Sequence, residues 1–224
     1  ADDLAGFSVA TAGDMNGDGY DDLIVGAYGA DANGVDSGAS YVVFGKASGF
    51  AANINLASLD GSNGFRISGA AAGDYSGYSV ASAGDLNADG YDDVIIGASK
   101  ADVHGVEKGS AYVVYGKAGG FAADLNLASL GSNGFRIIGE AQDDYFGISV
   151  AAAGDVNGDG FDDLIVGAKF VDMHGNDTGA SYVVFGHAGG FASNINLSSL
   201  DGNNGVKLGG LPPAAHGGIS VASA

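Results

Sequence analysis

The sequence predicts an all-β fold made of three repeated units, and three observations support this prediction. The tripeptide Ser-Val-Ala recurs at residues 8, 79, 149 and 220, at spacings of 71, 70 and 71 residues. Short runs rich in Val, Ile, Tyr and Phe fill each unit, and such runs are typical of strands rather than of helices of about ten or more residues. Glycine supplies 42 of the 224 residues and proline only 2, which favours many tight turns between short strands.

Each unit has the same order of elements. It begins with the apolar stretch at Ser-Val-Ala, continues through a loop of Asp, Asn and Gly, and then has two apolar strands separated by a turn. These strand pairs are predicted at 23–27 and 39–44, at 94–98 and 111–115, and at 164–168 and 180–185. A further strand is predicted at 64–67, 134–138 and 205–208. Four short strands per unit are typical of a β-propeller blade.

The connectors that precede these last strands, 50–59, 121–130 and 191–200, combine two patterns. In the first connector, Asn-Ile-Asn-Leu alternates like a strand, whereas the following Ala-Ser-Leu is compatible with one helical turn. The sequence leaves the conformation of the connectors open.

The repeat units are placed at about 8–78, 79–148 and 149–219 of a single domain spanning 1–224, with 220–224 as the start of a further repeat. A propeller closes with about 4 to 8 blades, so three blades alone would leave two blade faces in water. We therefore expect the chain to form part of a larger propeller, completed by further repeats or by another copy.

Charge and composition exclude several classes of partner. The 27 acidic residues outnumber the 8 basic ones and give a net charge of -19, which repels nucleic-acid phosphates and anionic lipid surfaces. No apolar run approaches the about 18 residues that span a bilayer. We expect neither nucleic-acid binding nor membrane insertion. The absence of cysteine excludes disulfides and thiolate metal sites and does not indicate a compartment.

The acidic residues concentrate in three nine-residue loops, which we number loop 1 (14–22), loop 2 (85–93) and loop 3 (155–163). Calcium takes about 6 to 8 oxygen ligands, and loops of this kind supply them from side chains at positions 1, 3 and 5 and from the carbonyl of position 7, with glycine at position 6 for the turn. An aspartate at position 9 can complete the ligand shell. The predicted ligands are Asp14, Asn16, Asp18, the Tyr20 carbonyl and Asp22 in loop 1; Asp85, Asn87, Asp89, the Tyr91 carbonyl and Asp93 in loop 2; and Asp155, Asn157, Asp159, the Phe161 carbonyl and Asp163 in loop 3.

A hairpin turn without metal is the alternative, because Asp, Asn and Gly are also favoured turn residues. The loop occurs three times at the same place in the repeat, which favours metal binding over a plain turn. Without a cation, the crowded carboxylates of each loop would repel one another. A helix-flanked calcium loop would have Glu at position 12, where this chain has Val25, Ile96 and Val166, so the loops are the strand-flanked kind. About three Ca²⁺ ions are expected, one per repeat, with the position-8 residues Asp21, Asp92 and Asp162 pointing to solvent.

These motifs resemble the FG-GAP repeats of integrin α-subunits and of large bacterial surface proteins. The resemblance is carried by Phe146-Gly147, by the Gly-Ala pairs at 26–27, 97–98 and 167–168, by the three loops, and by 38–44 with its two counterparts. It implies a seven-bladed propeller with Ca²⁺ in hairpin loops on one face, and a role in adhesion or ligand binding. The chain departs from the family pattern in having Tyr28, Ser99 and Lys169 in place of proline, and in its long connectors.

Two other kinds of site receive less support. Asp31/Asn33/Asp36, Asp102/His104/Glu107 and Asp172/His174/Asp177 could bind a transition metal, but the residue types change between copies, which favours plain hairpin turns on the face away from the Asp loops. The four histidines do not recur in a common sequence context that would suggest a catalytic site. The sequence also has no nucleophile-elbow, phosphate-loop or zinc motif. We therefore expect no enzyme activity from this chain.

The function expected from the sequence is a calcium-binding module, extracellular or at the cell surface and of the bacterial surface type, that binds a protein or glycan ligand. The alternative is a structural scaffold, rigidified by calcium or assembling with itself in a surface layer or filament. A less favoured alternative is a propeller attached to a hydrolase domain elsewhere in a longer chain.

Overall fold

The computed structural model describes residues 2–172, 177–209, 212 and 214–223. His174, named above in the third turn, lies outside the described residues, as does residue 224 of the predicted start of a further repeat. Regular structure in the described residues consists of strands and four single 3₁₀ turns, so the predicted all-β fold is confirmed. None of these helical turns is long and apolar enough to cross a membrane.

Three sheets follow one another along the chain, one per repeat, and the four main strands of each are antiparallel. Blade 1 contains β1 (Ser8–Gly13), β2 (Asp22–Ala27), β3 (Ala39–Val43) and β4 (Gly64–Ser68). Blade 2 contains β5 (Ser76–Gly84), β6 (Asp93–Ala98), β7 (Ser110–Val114) and β9 (Gly134–Ile138), and β8 (Asp124–Asn126) lies in the connector between β7 and β9. Blade 3 contains β10 (Phe146–Gly154), β11 (Asp163–Ala168), β12 (Ala180–Val184) and β14 (Gly205–Leu208), with β13 (Asn194–Asn196) in its connector. The four-stranded blade predicted for each repeat is confirmed, including its last strand in the third repeat.

The connectors adopt both of the conformations that their sequence left open. In blades 2 and 3 a three-residue strand is followed at once by a 3₁₀ turn, Leu127–Ser129 or Leu197–Ser199, whereas the first connector has only the turn Leu56–Ser58. Strand β8 pairs in parallel with β4 of blade 1, and β13 pairs in parallel with β9 of blade 2. The connectors of blades 2 and 3 thus each add a fifth strand to the blade before their own.

The hydrophobic core lies between the blades. One cluster joins blade 1 to blade 2 and contains Ile24, Phe65 and Tyr112, while a second joins blade 2 to blade 3 and contains Ile95 and Leu164. These clusters place blade 2 in the middle of an open stack of the three described blades.

Glycine in the Gly-Ala pairs permits the blades to approach closely. A Cβ atom at Gly26 would overlap the carbonyl oxygen of Gly77 in the next blade, and Gly97 stands in the same relation to the Gly147 carbonyl. The pairs that contribute to the family resemblance therefore occupy backbone contacts between blades, where no side chain fits.

Candidate metal centre

The three Asp loops lie at equivalent ends of the three sheets, because each joins the first two strands of its blade. Loop 1 connects β1 to β2, loop 2 connects β5 to β6, and loop 3 connects β10 to β11. In every loop the position-9 aspartate is the first residue of the following strand. The predicted ligands of each repeat are therefore brought together in one hairpin loop, and the three loops share one end of the blade stack.

The first carboxylate of each loop organises the backbone around itself. Asp14 Oδ1 accepts hydrogen bonds from the amides of Gly17 (2.8 Å) and Asp18 (3.0 Å), and Asp14 Oδ2 accepts one from Gly19 (2.9 Å). Asp155 accepts the same three hydrogen bonds in loop 3, and Asp85 accepts the last two in loop 2. The loop therefore wraps around the position-1 side chain.

Positions 3 and 5 lie beside each other at the exposed tip. Asn16 Oδ1 accepts from the Asp18 amide at 2.8 Å, Asn16 Nδ2 donates to Asp18 Oδ2 at 3.1 Å, and Asp18 Oδ1 accepts from the Tyr20 amide at 3.0 Å. The same three hydrogen bonds recur in the second and third loops, at Asn87 and Asp89 and at Asn157 and Asp159. The side-chain oxygens of positions 1, 3 and 5 are thus grouped by backbone geometry that is the same in all three loops.

The position-9 aspartate is buried and fastens the loop to its blade. Asp22 accepts from the amides of Met15 (3.1 Å) and Gly45 (2.8 Å), so one carboxylate joins the start of the loop to the residues that follow β3. Asp93 and Asp163 make the equivalent pairs of bonds. This side chain has a structural task that needs no metal.

The carboxylates at positions 1 and 5 of a loop are close enough to raise the pKa of the carboxyl group at position 9. Burial raises the pKa of Asp22 to about 6 and that of Asp93 to about 8, and the backbone amides that each accepts from oppose this rise. The carboxylates at positions 1 and 5 of the same loop raise both values further, as they do for Asp163, whose pKa is raised chiefly by burial. A bound divalent cation would offset this repulsion and favour the ionised form of all three side chains.

The donor atoms available in each loop are the hard oxygens that calcium prefers. Within the described part of the chain, no three Asp, Glu, His or Cys side chains form a group that could by themselves hold a metal ion. The predicted ligand set is a mixed one, since it also uses an Asn side chain and a backbone carbonyl, and its position-9 carboxylate already accepts two amides. The residues fit calcium in the type of donor atom, and coordination by them stays a prediction.

One prediction about the loops is wrong in two of three copies. Asp92 does not point to solvent: its Oδ2 accepts from the Asp14 amide of loop 1 at 2.7 Å, and Asp162 Oδ2 likewise accepts from the Asp85 amide of loop 2 at 3.1 Å. Only Asp21 is exposed as expected. The reason is that each loop packs against the loop of the preceding blade, a contact between residues 77 or 78 positions apart that no local pattern signals.

The carboxylates between the second and third strands behave as turn residues. Asp31 Oδ1 accepts from the Asp36 amide at 2.9 Å, and Asp172 Oδ1 accepts from the Asp177 amide at 2.7 Å. Asn33 Nδ2 donates to the Ala70 carbonyl at 2.8 Å. The Asp31 and Asp172 carboxylates are thus used in hydrogen bonds within their own turns, in the first and third blades, which agrees with the hairpin-turn interpretation.

Comparison with known proteins gives two findings. The family model described as FG-GAP repeat matches residues 5–43, 76–114 and 146–184. Among curated proteins, the chain is 39% identical over 142 residues to integrin alpha-7 of Rattus norvegicus, covering 57% of this chain and 12% of that relative. It is 37% identical over 174 residues to integrin alpha pat-2 of Caenorhabditis elegans, covering 73% of this chain and 13% of the relative. It is 34% identical over 172 residues to integrin alpha-V of Gallus gallus, covering 75% and 15%. The chain therefore spans only a small part of the length of these relatives.

Proposed function

The chain belongs to the FG-GAP repeat family, and from this premise we propose that it is a calcium-binding β-propeller module that binds a protein or glycan ligand outside the cell. The observation that carries the proposal is that the hydrogen bonds from the position-5 amide to the position-1 carboxylate recur in all three loops, with one set of oxygen donors. A turn that binds no metal gains nothing from three mutually repelling carboxylates in the same loop, and this arrangement recurs in every copy.

The proposed role of calcium is to hold the loop end of each blade rigid. Coordination fixes positions 1, 3 and 5, of which position 5 is exposed in every loop, and it neutralises part of the net charge of -19. The position-8 carboxylates of loops 2 and 3 hydrogen bond to the preceding loop, so ordering one loop also steadies its neighbour. Such rigidity lowers the entropy cost when a ligand binds at that end of the stack.

The extracellular location and the adhesion role rest on the similarity to integrin alpha chains, and both are parts of the proposal. The integrins named above are animal proteins, so the bacterial surface type expected from the sequence also stays a prediction. We expect no catalysis by this chain, because its carboxylates serve as hydrogen-bonding and proposed ligand groups.

Calcium binding is tested by titration calorimetry on the metal-free chain. We expect about three ions, with one fewer in each of Asp18→Ala, Asp89→Ala and Asp159→Ala. The matched control is Asp21→Asn, which changes an exposed carboxylate of the same loop that is not a predicted ligand. A stoichiometry that is unchanged in all three Ala variants would contradict the assigned sites.

Ligand binding is tested separately on arrays of matrix proteins and glycans, with calcium and with chelator. Binding that requires calcium and is lost in Asp89→Ala supports the module. Calcium binding with no ligand on any array would instead favour the scaffold alternative.

A further inference from the structure

Three basic side chains occupy equivalent places in the three blades, and only the middle one lacks a carboxylate partner. Arg66 forms an ion pair with Asp124 of the second connector, and Lys207 forms one with Glu140. Arg136 forms no ion pair with any of the described residues. The equivalence follows from the antiparallel ladders, in which each basic residue lies opposite a tyrosine, the pairs being Tyr41 with Arg66, Tyr112 with Arg136 and Tyr182 with Lys207.

Both positions from which a carboxylate could reach Arg136 hold neutral residues. In the parallel ladders the residue opposite Arg136 is Asn194, where the first ladder has an aspartate. In the loop that leads from one blade to the next, Ala70 stands where the following repeat has Glu140. Arg136 Nε donates to the Ser110 hydroxyl at 2.8 Å, and a terminal nitrogen donates to a backbone carbonyl at 3.4 Å. The rest of its N–H groups have no acceptor among the described residues.

A cavity of about 360 Å³ lies beside this unpaired guanidinium group. It is lined by Arg136 and Tyr112 of blade 2, by Ala70 of the loop before blade 2, and by Asn194 of the third connector. Its volume falls within the range of about 300 to 1,000 Å³ that is typical of sites for small ligands. Because its walls come from the middle of the blade stack, the cavity is separate from the outer faces of the first and last blades.

The hydroxyl group of Tyr112 is buried at this cavity without a partner. The residue is 1% exposed, and its Oη has no hydrogen-bond partner among the described residues. Burial raises the pKa of Tyr112 to about 12, so the hydroxyl group is protonated and can donate at neutral pH. The Arg136 guanidinium lies over the same ring, 5.3 Å from its centroid. A buried donor without an acceptor is costly, and here a cation lies next to it, so an anionic acceptor would satisfy both groups.

The equivalent place between blades 2 and 3 is filled by a carboxylate of the chain itself. Tyr182 Oη donates to Glu140 Oε2 at 2.9 Å, and Lys207 Nζ donates to the same oxygen. The Glu140 side chain thus satisfies the tyrosine and neutralises the cation together. Between blades 1 and 2 the tyrosine and the cation are both present, and the carboxylate is missing because Ala70 has no group that could supply it.

The acidic surroundings of the cavity are compatible with an anion. Asp74 is the buried carboxylate near it, and Arg136 acts on Asp74 to lower its pKa, which burial raises. Asp74 already accepts from two backbone amides. In the next interface its equivalent, Asp144, lies in the field of Glu140, so the fold accommodates a second carboxylate in the same relation to this one.

We propose that this cavity binds a carboxylate on a short aliphatic stem, supplied by an acidic side chain of a ligand protein. The carboxylate accepts from Tyr112 Oη and pairs with Arg136, and the stem lies against the apolar wall formed by Leu127 and Leu130. The bound group reproduces the contacts that Glu140 makes one interface later. This inference names the ligand class of the proposed binding module and in that respect rests on the proposed function.

Binding is tested by NMR titration of the chain at fixed calcium. The probe is N-acetylglutamate N-methylamide, and N-acetylglutamine N-methylamide is its uncharged counterpart. The glutamate probe should shift the amide signals of Gly131 and Arg136 saturably and should bind more than tenfold more tightly than the glutamine probe. Glucuronate has its carboxylate on a sugar ring and tests an acidic glycan as the source. Tighter binding of glucuronate than of the glutamate probe would overturn the assignment to a protein side chain.

The repeats supply matched variants for the same titration. Ala70→Glu provides the missing carboxylate, so it should abolish binding of the glutamate probe and raise the midpoint of urea unfolding. Arg136→Gln should weaken binding more than tenfold, whereas Arg66→Gln, at the equivalent cation that has a carboxylate of its own, should leave it unchanged.

The two tyrosines separate a binding role from a structural one. Tyr112→Phe removes a hydroxyl group that has no partner in the described chain, so the urea midpoint should not fall, while binding of the glutamate probe should weaken about tenfold. Tyr182→Phe breaks the hydrogen bond to Glu140, so it should lower the urea midpoint and leave probe binding unchanged.

The proposal would be overturned if the glutamate probe gave no saturable shift, if both amino-acid probes bound equally, or if Arg136→Gln and Tyr112→Phe bound the glutamate probe as tightly as the original chain. Calcium stoichiometry should stay at about three ions in Arg136→Gln, because this side chain is not a predicted ligand. A protein ligand from the arrays that Arg136→Gln still binds fully would overturn this site and support the proposed function, so the two failures are distinguishable.

Discussion

At the residue scale, aspartates of one short motif perform different physical tasks. The position-1 and position-5 carboxylates lie in the loop and are available to a cation, whereas the position-9 carboxylate is buried and accepts two backbone amides. The position-8 carboxylate joins neighbouring loops. Since these tasks depend on metal to different degrees, substitutions can separate them.

Asp93→Ala should destabilise the chain even when no metal is present. The change leaves the Leu86 and Gly116 amides without their acceptor in a buried place, at a cost of about 1–3 kcal/mol for each. Asp89→Ala removes an exposed side chain of the same loop, so in chelator it should cost less than about 1 kcal/mol. Urea unfolding in EDTA measures both. Equal effects in EDTA would show that the position-9 hydrogen bonds contribute little.

Asp144 should make stability depend on pH. It is buried, and burial raises its pKa to about 6, with the hydrogen bond from the Ala141 amide opposing the rise. Ionisation is therefore harder in the folded chain than in the unfolded chain, whose carboxyl has a pKa of about 3.9. The stability contributed by the neutral form is present below pH 4 and is lost as the pH rises from about 4 to about 6.

Asp144→Asn should abolish this loss and raise the stability at pH 7, relative to the original chain, by up to about 3 kcal/mol. Thermal unfolding between pH 4 and pH 7 measures the effect. Asp143→Asn changes the exposed neighbour and is the matched control. Parallel pH profiles for the original chain and Asp144→Asn would contradict the prediction.

At the element scale, the connectors hold consecutive blades together. The second and third connectors each add a parallel strand to the sheet before their own, and each places a phenylalanine ring on that sheet. The Arg66–Asp124 ion pair crosses the first of these ladders at 2.7 Å, but both side chains are about two-fifths exposed. An exposed pair of this kind contributes about 0–1 kcal/mol, so the apolar packing of the connector matters more.

Phe121→Ala should therefore destabilise the chain by about 3–5 kcal/mol, because it removes a buried ring that stacks on Phe65. Phe50→Ala is the matched control at the equivalent position of the first connector, where the ring is half exposed. Its cost should stay below about 1 kcal/mol in dilute solution. Chemical unfolding of the two variants side by side measures the difference, and similar losses would mean that the connectors do not join the blades.

At the scale of the whole molecule, stability depends on contacts between blades and on the charge that the blades carry together. Most of the buried core lies in two interblade clusters, with a small third cluster of Ala27, Ala30 and Ala39 inside blade 1, so each blade depends largely on a neighbour for its core. The net charge of -19 opposes the packing of blade against blade. The three Asp loops lie side by side, because each joins the first two strands of its blade at the same end of the sheet. A cation bound in each loop would lower the repulsion where the acidic residues are densest.

Removal of calcium should consequently lower the melting temperature. Sites of the extracellular kind have a Kd of about 10⁻⁴ to 10⁻³ M, and at about ten times Kd each contributes roughly 1.4 kcal/mol. Three sites then add about 4 kcal/mol to a total stability of about 5–15 kcal/mol. Calorimetric melting with calcium, with EDTA and with an equal concentration of magnesium measures this effect.

Magnesium should protect poorly, since it demands near-octahedral geometry at about 2.0–2.1 Å and retains its water. A melting temperature that is unchanged by EDTA, with metal removal verified by elemental analysis, would refute the calcium contribution. Equal protection by magnesium would contradict the assigned coordination.

The sequence by itself determined the features that depend on neighbours along the chain. The strands follow from short apolar runs between glycines, and the loop geometry follows from side chains that bond to amides two to five residues away, as Asp14 and Asn16 do. Repetition at a constant spacing then identified the blades.

The tertiary structure alone decided the features that depend on distant partners. Asn-Ile-Asn in the first connector and Asp-Leu-Asn in the second have the same alternation, yet only the second is a strand, because an extended segment needs a neighbouring edge to satisfy its amides. Asp21 and Asp92 occupy the same place in the motif, yet one is exposed and the other binds the preceding loop. Equivalent local segments differ here because hydrogen bonds and burial depend on which blade lies alongside, and stacking brings together residues about 70 positions apart.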